Sequence, residues 1–150
     1  MKFPHLIVLA LGLFCVPDTF ARLGETVAEC EQRYGTATKL DSKTFSFKKA
    51  GFAMMITFFE GKADSITYVK EDLSHISENQ QSQLRKLHSA DLEWTKSKDI
   101  STNNEWNTPQ NEFWSHYYTV EKLLVVGTRG WVERLDAEKK AKEDKAIKGL

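Results

Sequence analysis

The side chains that allow chemistry in this 150-residue chain are His75, His88 and His116, the thiol of Cys30, and the indoles of Trp94, Trp106, Trp114 and Trp131. A metal site on a helix needs ligands three or four residues apart, so that they share a face. His75 and His88 lie on one helix-like stretch, about 220° apart around its axis, and so point in nearly opposite directions. Glu112 and His116 fall on one strand face, but two weak ligands make no site. No metal and no cofactor is expected. Nucleophilic catalysis would need a serine on a G-x-S-x-G elbow or a cysteine beside a base, and neither occurs. Ser74-His75 and Ser115-His116 are chain neighbours, which diverge in any regular element. Cys30 lies between Glu29 and Glu31, whose charges raise a thiol pKa rather than activate it. A glycine-rich phosphate loop is absent as well. The residues therefore lean away from an enzyme, with no catalytic residue to name.

The tryptophans remain. All four lie in the second half of the chain, with Tyr117 and Tyr118 beside Trp114. Large aromatics fill cores and also anchor interfaces. Trp94, Trp114 and Trp131 fall inside regular patterns and are expected to pack inward. Trp106 stands between Glu105 and Asn107 in a polar stretch, 97–110, that reads as a loop. It is the candidate partner-binding residue.

Several elements must position these groups. Thr26-Val27-Ala28-Glu29 has the form of a capping box, Val27, Cys30 and Tyr34 follow at helical spacing, and Gly35 suits a C-terminal cap. A first helix over 26–34 is expected, with Cys30 buried in its apolar stripe. Thr44–Lys48 alternates as a strand, Lys49-Ala50-Gly51 reads as a turn, and Phe52–Phe59 follows. Glu60-Gly61 marks a second tight turn before Ala63–Lys70. In Phe52–Phe59 both faces are apolar, whereas a sheet with one wet face alternates; both faces are therefore expected to be covered. Leu73–Ala90 reads as a second helix, with Ile76, Leu84 and Leu87 on one face and Ser74 or Ser77 as its cap. Short strands are expected near Leu92–Trp94, over Glu112–Tyr118 and over Lys122–Val126. Nine of the thirteen residues from Asp136 to Lys148 are charged. Acid-before-base pairs such as Asp136–Lys140 favour a helix there, and the charge density makes it a solvated one.

The amino terminus addresses the compartment. Lys2 precedes an apolar run from Leu6 to Val16, Pro17 breaks it, and Thr19-Phe20-Ala21 offers small residues at the positions a signal peptidase reads. The run is too short to span a bilayer. Phe14 before Cys15 does not make a lipobox. The expected organisation is a signal peptide over 1–21, a single domain over 22–135 and a charged helical tail over 136–150, in the periplasm or secreted. Cleavage near Ala21 would remove Cys15 and leave Cys30 without an intramolecular partner. The chain carries 21 basic and 21 acidic residues, so no strong attraction to nucleic acid follows from its total charge.

Gly24-Glu25-Thr26, Glu29-Cys30, Tyr34-Gly35 and Phe59-Glu60-Gly61-Lys62-Ala63 together resemble a family of small exported bacterial proteins. In these a G-x-T-x-x-x-C-x-x-x-Y-G helix precedes a hairpin ending in G-K-A. More loosely, the helix-then-meander start is similar to outer-membrane assembly lipoproteins of the SmpA/OmlA type and to the β-lactamase-inhibitor-protein fold. The resemblance spans about residues 24–70, rests on helix caps and a hairpin turn, and implies no catalytic residue.

The fold expected from these patterns is α+β. An antiparallel sheet of about six strands packs against two helices, in two helix-plus-strands units, with a charged C-terminal helix. The function expected is a non-enzymatic, exported protein-binding or envelope-associated module, contacting a protein partner or a second copy of itself. The alternative is an exported enzyme acting on cell-wall or extracellular material. A pocket lined by two titratable groups of shifted pKa would mark it.

Overall fold

Two capped helices set the frame. Thr26 accepts the Glu29 N–H at 3.3 Å while the Glu29 carboxylate accepts the Thr26 N–H at 2.7 Å. This capping box starts α1 (Val27–Tyr34), and Gly35, with φ 87°, stops it. Ser77 and Gln80 repeat the device at 3.3 and 3.1 Å and start α2 (Glu78–Lys86). The computed structural model describes residues 22–89, 92–98 and 104–148. The expected signal peptide, the end of the expected second helix at Ala90 and part of the expected loop lie outside them.

After α1 come β1 (Thr38–Lys39), β2 (Thr44–Lys49), β3 (Phe52–Phe59) and β4 (Lys62–Lys70). After α2 come β5 (Thr95–Lys96), β6 (Glu105–Asn107), β7 (Phe113–Tyr118) and β8 (Leu123–Thr128), then α3 (Arg129–Lys148). All strands join one antiparallel sheet in the order β1-β2-β3-β4-β8-β7-β6-β5. Each half is thus a helix followed by a four-stranded meander, and the halves meet through their last strands. The α+β class holds, but the sheet has eight strands rather than about six. The additional ones, β1 and β6, are two and three residues long, too short for alternation to show. The second helix is shorter than its apolar spacing suggests. Leu73 takes φ 57° and Ser77, not Ser74, is the cap.

Both expected hairpin turns form. Ala50-Gly51 and Glu60-Gly61 all have positive φ, between 50° and 78°, the two-residue geometry that matches strand twist. They fix the register so that Phe52, Met54, Ile56 and Phe58 of β3 face α1 and α2, and all four are buried. Ile66, Tyr68, Leu124 and Val126 of the central pair join them, with Cys30 from α1 and Leu84 from α2. Burial pushes the Cys30 thiol up to about 12, with Glu25 and Glu29 adding to the rise.

The opposite face departs from expectation. Met55 is 42% exposed and Phe59 38%, so β3 is not covered on both sides. Met55 pairs across the sheet with Ser46 and Thr67. Its surroundings are polar, and the apolar run overstates the burial. Among the described elements, α3 covers this face. The Trp131 ring lies on Gly127, where an added Cβ would stand 2.7 Å from it. Arg134 places its guanidinium 3.8 Å from the Phe59 ring centre and pairs with Asp64. Asp64 is the extra residue of a bulge in β4, between the Phe58–Ala63 and Thr57–Ser65 pairs. It also accepts from the Thr128 hydroxyl at 2.6 Å, and that hydroxyl receives the Trp131 N–H at 3.1 Å. From 136 to 147 the helix is exposed, as its charge requires.

Two tyrosine hydroxyls tie the α2 region to the sheet. Tyr117 bonds His75 Nδ1 at 3.0 Å and the Ile76 N–H at 3.2 Å. His88 Nδ1 accepts the Leu23 N–H at 3.3 Å, which leaves the proton on Nε2 to be donated to Tyr68 Oη at 2.9 Å. His88 is buried, and that burial, with the nearby Arg22 charge, pushes its pKa down from 6.5 to about 3.

A histidine neutral in the fold but protonated when unfolded destabilises the fold as pH falls. Stability should therefore be full above about pH 6.5 and decline towards about pH 3. Urea midpoints at pH 7.5, 5.5 and 4.5 would read this, and His88→Gln should flatten the upper part of the decline. Gly127→Ala drives a methyl into the Trp131 ring, and overpacking of that kind costs about 1–3 kcal/mol. Thermal melts should show that loss, and proteolysis should release α3 first.

Candidate functional site

On α2 and the residues after it, Gln81, Leu84, Arg85 and His88 recur at spacings of three and four, the signature of an inward helix face. All four are buried, although three are polar. Two have partners: Gln81 Nε2 donates to the Ile76 carbonyl at 2.8 Å, and His88 bridges Leu23 and Tyr68. Arg85 differs. It is only 2% exposed, yet its Nε and Nη1 have no hydrogen-bond partner among the described residues. Burial lowers its pKa to about 10, offset slightly by Glu78, so the group stays charged at neutral pH. An uncompensated buried charge costs several kcal/mol.

The Arg85 guanidinium lies 4.3 Å from the centre of the Trp106 ring. That contact offsets part of the desolvation but uses none of the N–H groups. The end of α2 contributes Ser82, Arg85 and Lys86 to one wall of a pocket of about 350 Å³. The segment after the helix supplies Leu92, Glu93 and Trp94, and β6 supplies Trp106. Trp94 also has a buried indole N–H without a partner. Among the described residues that line the pocket, the buried atoms without a partner are all donors. Such an arrangement can receive an acceptor-rich group and stack its body against indole.

The structure moves Trp106 from the expected loop to strand β6, where it pairs with Ser115 and Lys96 and is half-buried. Its indole faces the helices rather than open solvent. The polar residues around it hid the strand. Trp94, Trp114 and Trp131 are likewise half-buried; Trp94 packs against the core as expected. Trp94 joins the pocket, while Trp114 and Trp131 pack 5.8 Å apart on the other face. There Trp114, His116 and Tyr118 form a row along β7, with ring centres 5.9 and 4.4 Å apart. Burial lowers the His116 pKa. Ser115 points to the helix side and is fully buried, so it and His116 stand apart as expected. Among the described residues, no three His, Cys, Asp or Glu side chains are grouped as a metal would need.

A second, smaller pocket of about 180 Å³ lies beside α3. Two of its charged wall residues, Asp64 and Arg134, pair with each other. Arg85 is the residue that sequence reasoning missed. Three of the four residues in the 81-84-85-88 stripe are polar, so only the docked helix shows that the stripe faces inward.

Replacing a buried unpaired charge by an apolar side chain of similar length is commonly neutral or stabilising. Arg85→Met should therefore leave the melting temperature unchanged or raise it, by the equivalent of about 1 kcal/mol or more. Calorimetry would read the shift; a clear fall would mean that Arg85 is held in place for stability.

Comparison with family models, with curated proteins and with solved structures finds no match for this chain.

Proposed function

We propose that this chain is an exported, non-enzymatic module that binds a protein partner through the Arg85–Trp106 pocket. One observation carries the reading: a buried guanidinium, stacked on an indole, keeps N–H groups without acceptors. A fold gains nothing in stability from such a group, whereas a binding surface gains an anchor. Tryptophan and arginine are the residues most often found at the energetic centre of protein interfaces. Export is supported by Lys2, the apolar run from Leu6 to Val16 and the small-residue site ending at Ala21. It agrees with the resemblance to exported helix-plus-meander proteins. The enzymatic alternative has less behind it, because among the described residues Arg85 is the one buried titratable group on the pocket wall and a guanidinium is a poor proton shuttle at neutral pH.

A photo-crosslinking residue at Glu93, exposed on the pocket rim, should give a discrete adduct with a protein of the cell envelope. The same residue at Glu60, on the distant β3–β4 turn, should not. Trp106→Ala should reduce the Glu93 adduct about tenfold, the effect of losing an interface anchor of ~1.4 kcal/mol. Equal labelling from both positions, or an adduct indifferent to Trp106, would overturn the proposal.

A further inference from the structure

We infer that the Arg85–Trp94–Trp106 pocket is a carboxylate site, taking a carboxylate borne on an apolar or aromatic body such as a partner's chain end or acidic side chain. This rests on the pocket being the contact surface proposed above, and it adds the chemistry of what enters.

Three features specify that chemistry. The orphaned atoms are Arg85 Nε, Arg85 Nη1 and Trp94 Nε1, all of them donors. A hydroxyl or amide entering the pocket would bring hydrogens that find no acceptor among these three; an ionised carboxylate is acceptor-only and would bring none. The second feature is charge. Among the described residues on the walls, Arg85 and Lys86 outweigh the single carboxylate of Glu93, and Glu93 is exposed while Arg85 is buried. The positive charge therefore sits at the bottom, in the low-dielectric part, where a charge-assisted hydrogen bond is strong. The third is shape. Trp94, Trp106 and Leu92 line the rest, giving an apolar surface beside the donors. A bare inorganic anion would leave that surface unused, whereas a carboxylate on an aromatic or aliphatic stem would cover it. At about 350 Å³ the pocket has the size of a small ligand site and admits one side chain or chain end.

Arg85 also explains why the pocket is built on the helix side. Its guanidinium is fixed from one face by the Trp106 ring at 4.3 Å, so its plane is oriented before any ligand arrives. A preorientated planar donor loses less freedom on binding than a lysine would.

The test uses the purified protein and resolves the Arg85 Nε–H and Trp94 indole N–H signals by ¹H–¹⁵N NMR. N-acetylphenylalanine mimics a chain end, and N-acetylglutamate amide mimics an acidic side chain. Saturable shifts of both signals with either probe are expected, and the better probe identifies the source of the carboxylate. N-acetylphenylalanine amide should bind at least about tenfold more weakly, for the loss of a charge-assisted hydrogen bond, and inorganic phosphate at least about tenfold more weakly, because it leaves the apolar walls uncovered. Arg85→Met should abolish the Trp94 shift. The inference is overturned if acid and amide bind alike, if phosphate matches the better probe, or if neither carboxylate saturates. The comparison of acid with amide on the unaltered protein holds whether or not the variant folds. Carboxylate binding without a Glu93 adduct would sink the protein-partner reading alone. An adduct without carboxylate binding would sink this inference alone.

Discussion

The pairing of β4 with β8 holds the molecule together. Five residue pairs, from Ser65–Gly127 to Val69–Leu123, join two meanders that otherwise touch little. Ile66, Tyr68, Leu124 and Val126 on this seam are wholly buried. Separated, each half would expose a largely buried strand, β4 or β8, as an edge, an invitation to aggregate. The seam joins segments about 60 residues apart in sequence, so its closure entropy is met only once both halves are largely formed. The tie from His88 to Leu23 and Tyr68 crosses the same seam. A neutral imidazole there, rather than a charged one, is what the dry surroundings permit.

Against that economical centre, the end of α2 looks costly. Gln81 and His88 place polar groups inward and satisfy them, but Arg85 does not. Natural folds leave few buried donors without partners; among the described residues Tyr34 and Ser115 also keep a buried hydroxyl without one, but Arg85 alone does so with a charge. The opposite sheet face differs in kind. Asp64, Thr128 and Arg134 are closed on one another there.

Much of the framework was legible in the residues. The capping box at Thr26, the Gly35 stop, the turns at Gly51 and Gly61 and the buried Cys30 all follow from local chemistry, which is why they could be read without tertiary contacts; of the two serines offered as the second cap, the structure uses Ser77. The division into two similar halves was legible too, from the order of patterns alone. What failed was tertiary. β1 and β6 owe their existence to a neighbouring strand rather than to alternation. Phe52–Phe59 seemed to demand cover on both faces, yet Met55 lies among Ser46 and Thr67, side chains that only the register brings beside it. Trp106 was singled out for the wrong surroundings, a loop instead of a strand. Arg85, which turns Trp106 from an isolated aromatic into part of a pocket, was hidden by its charge. A guanidinium in an inward stripe reads as surface until the helix is docked.

The two outermost strands are the same dipeptide, Thr38-Lys39 and Thr95-Lys96. Each is two residues long and exposed, and each carries a lysine. An incoming strand would find at either margin only a two-residue ladder, with a charged ammonium that must be desolvated beside it. Lateral growth of the sheet by accretion of further copies is thus frustrated at both ends by one repeated solution. Any assembly this protein enters has to be made through its broad surfaces.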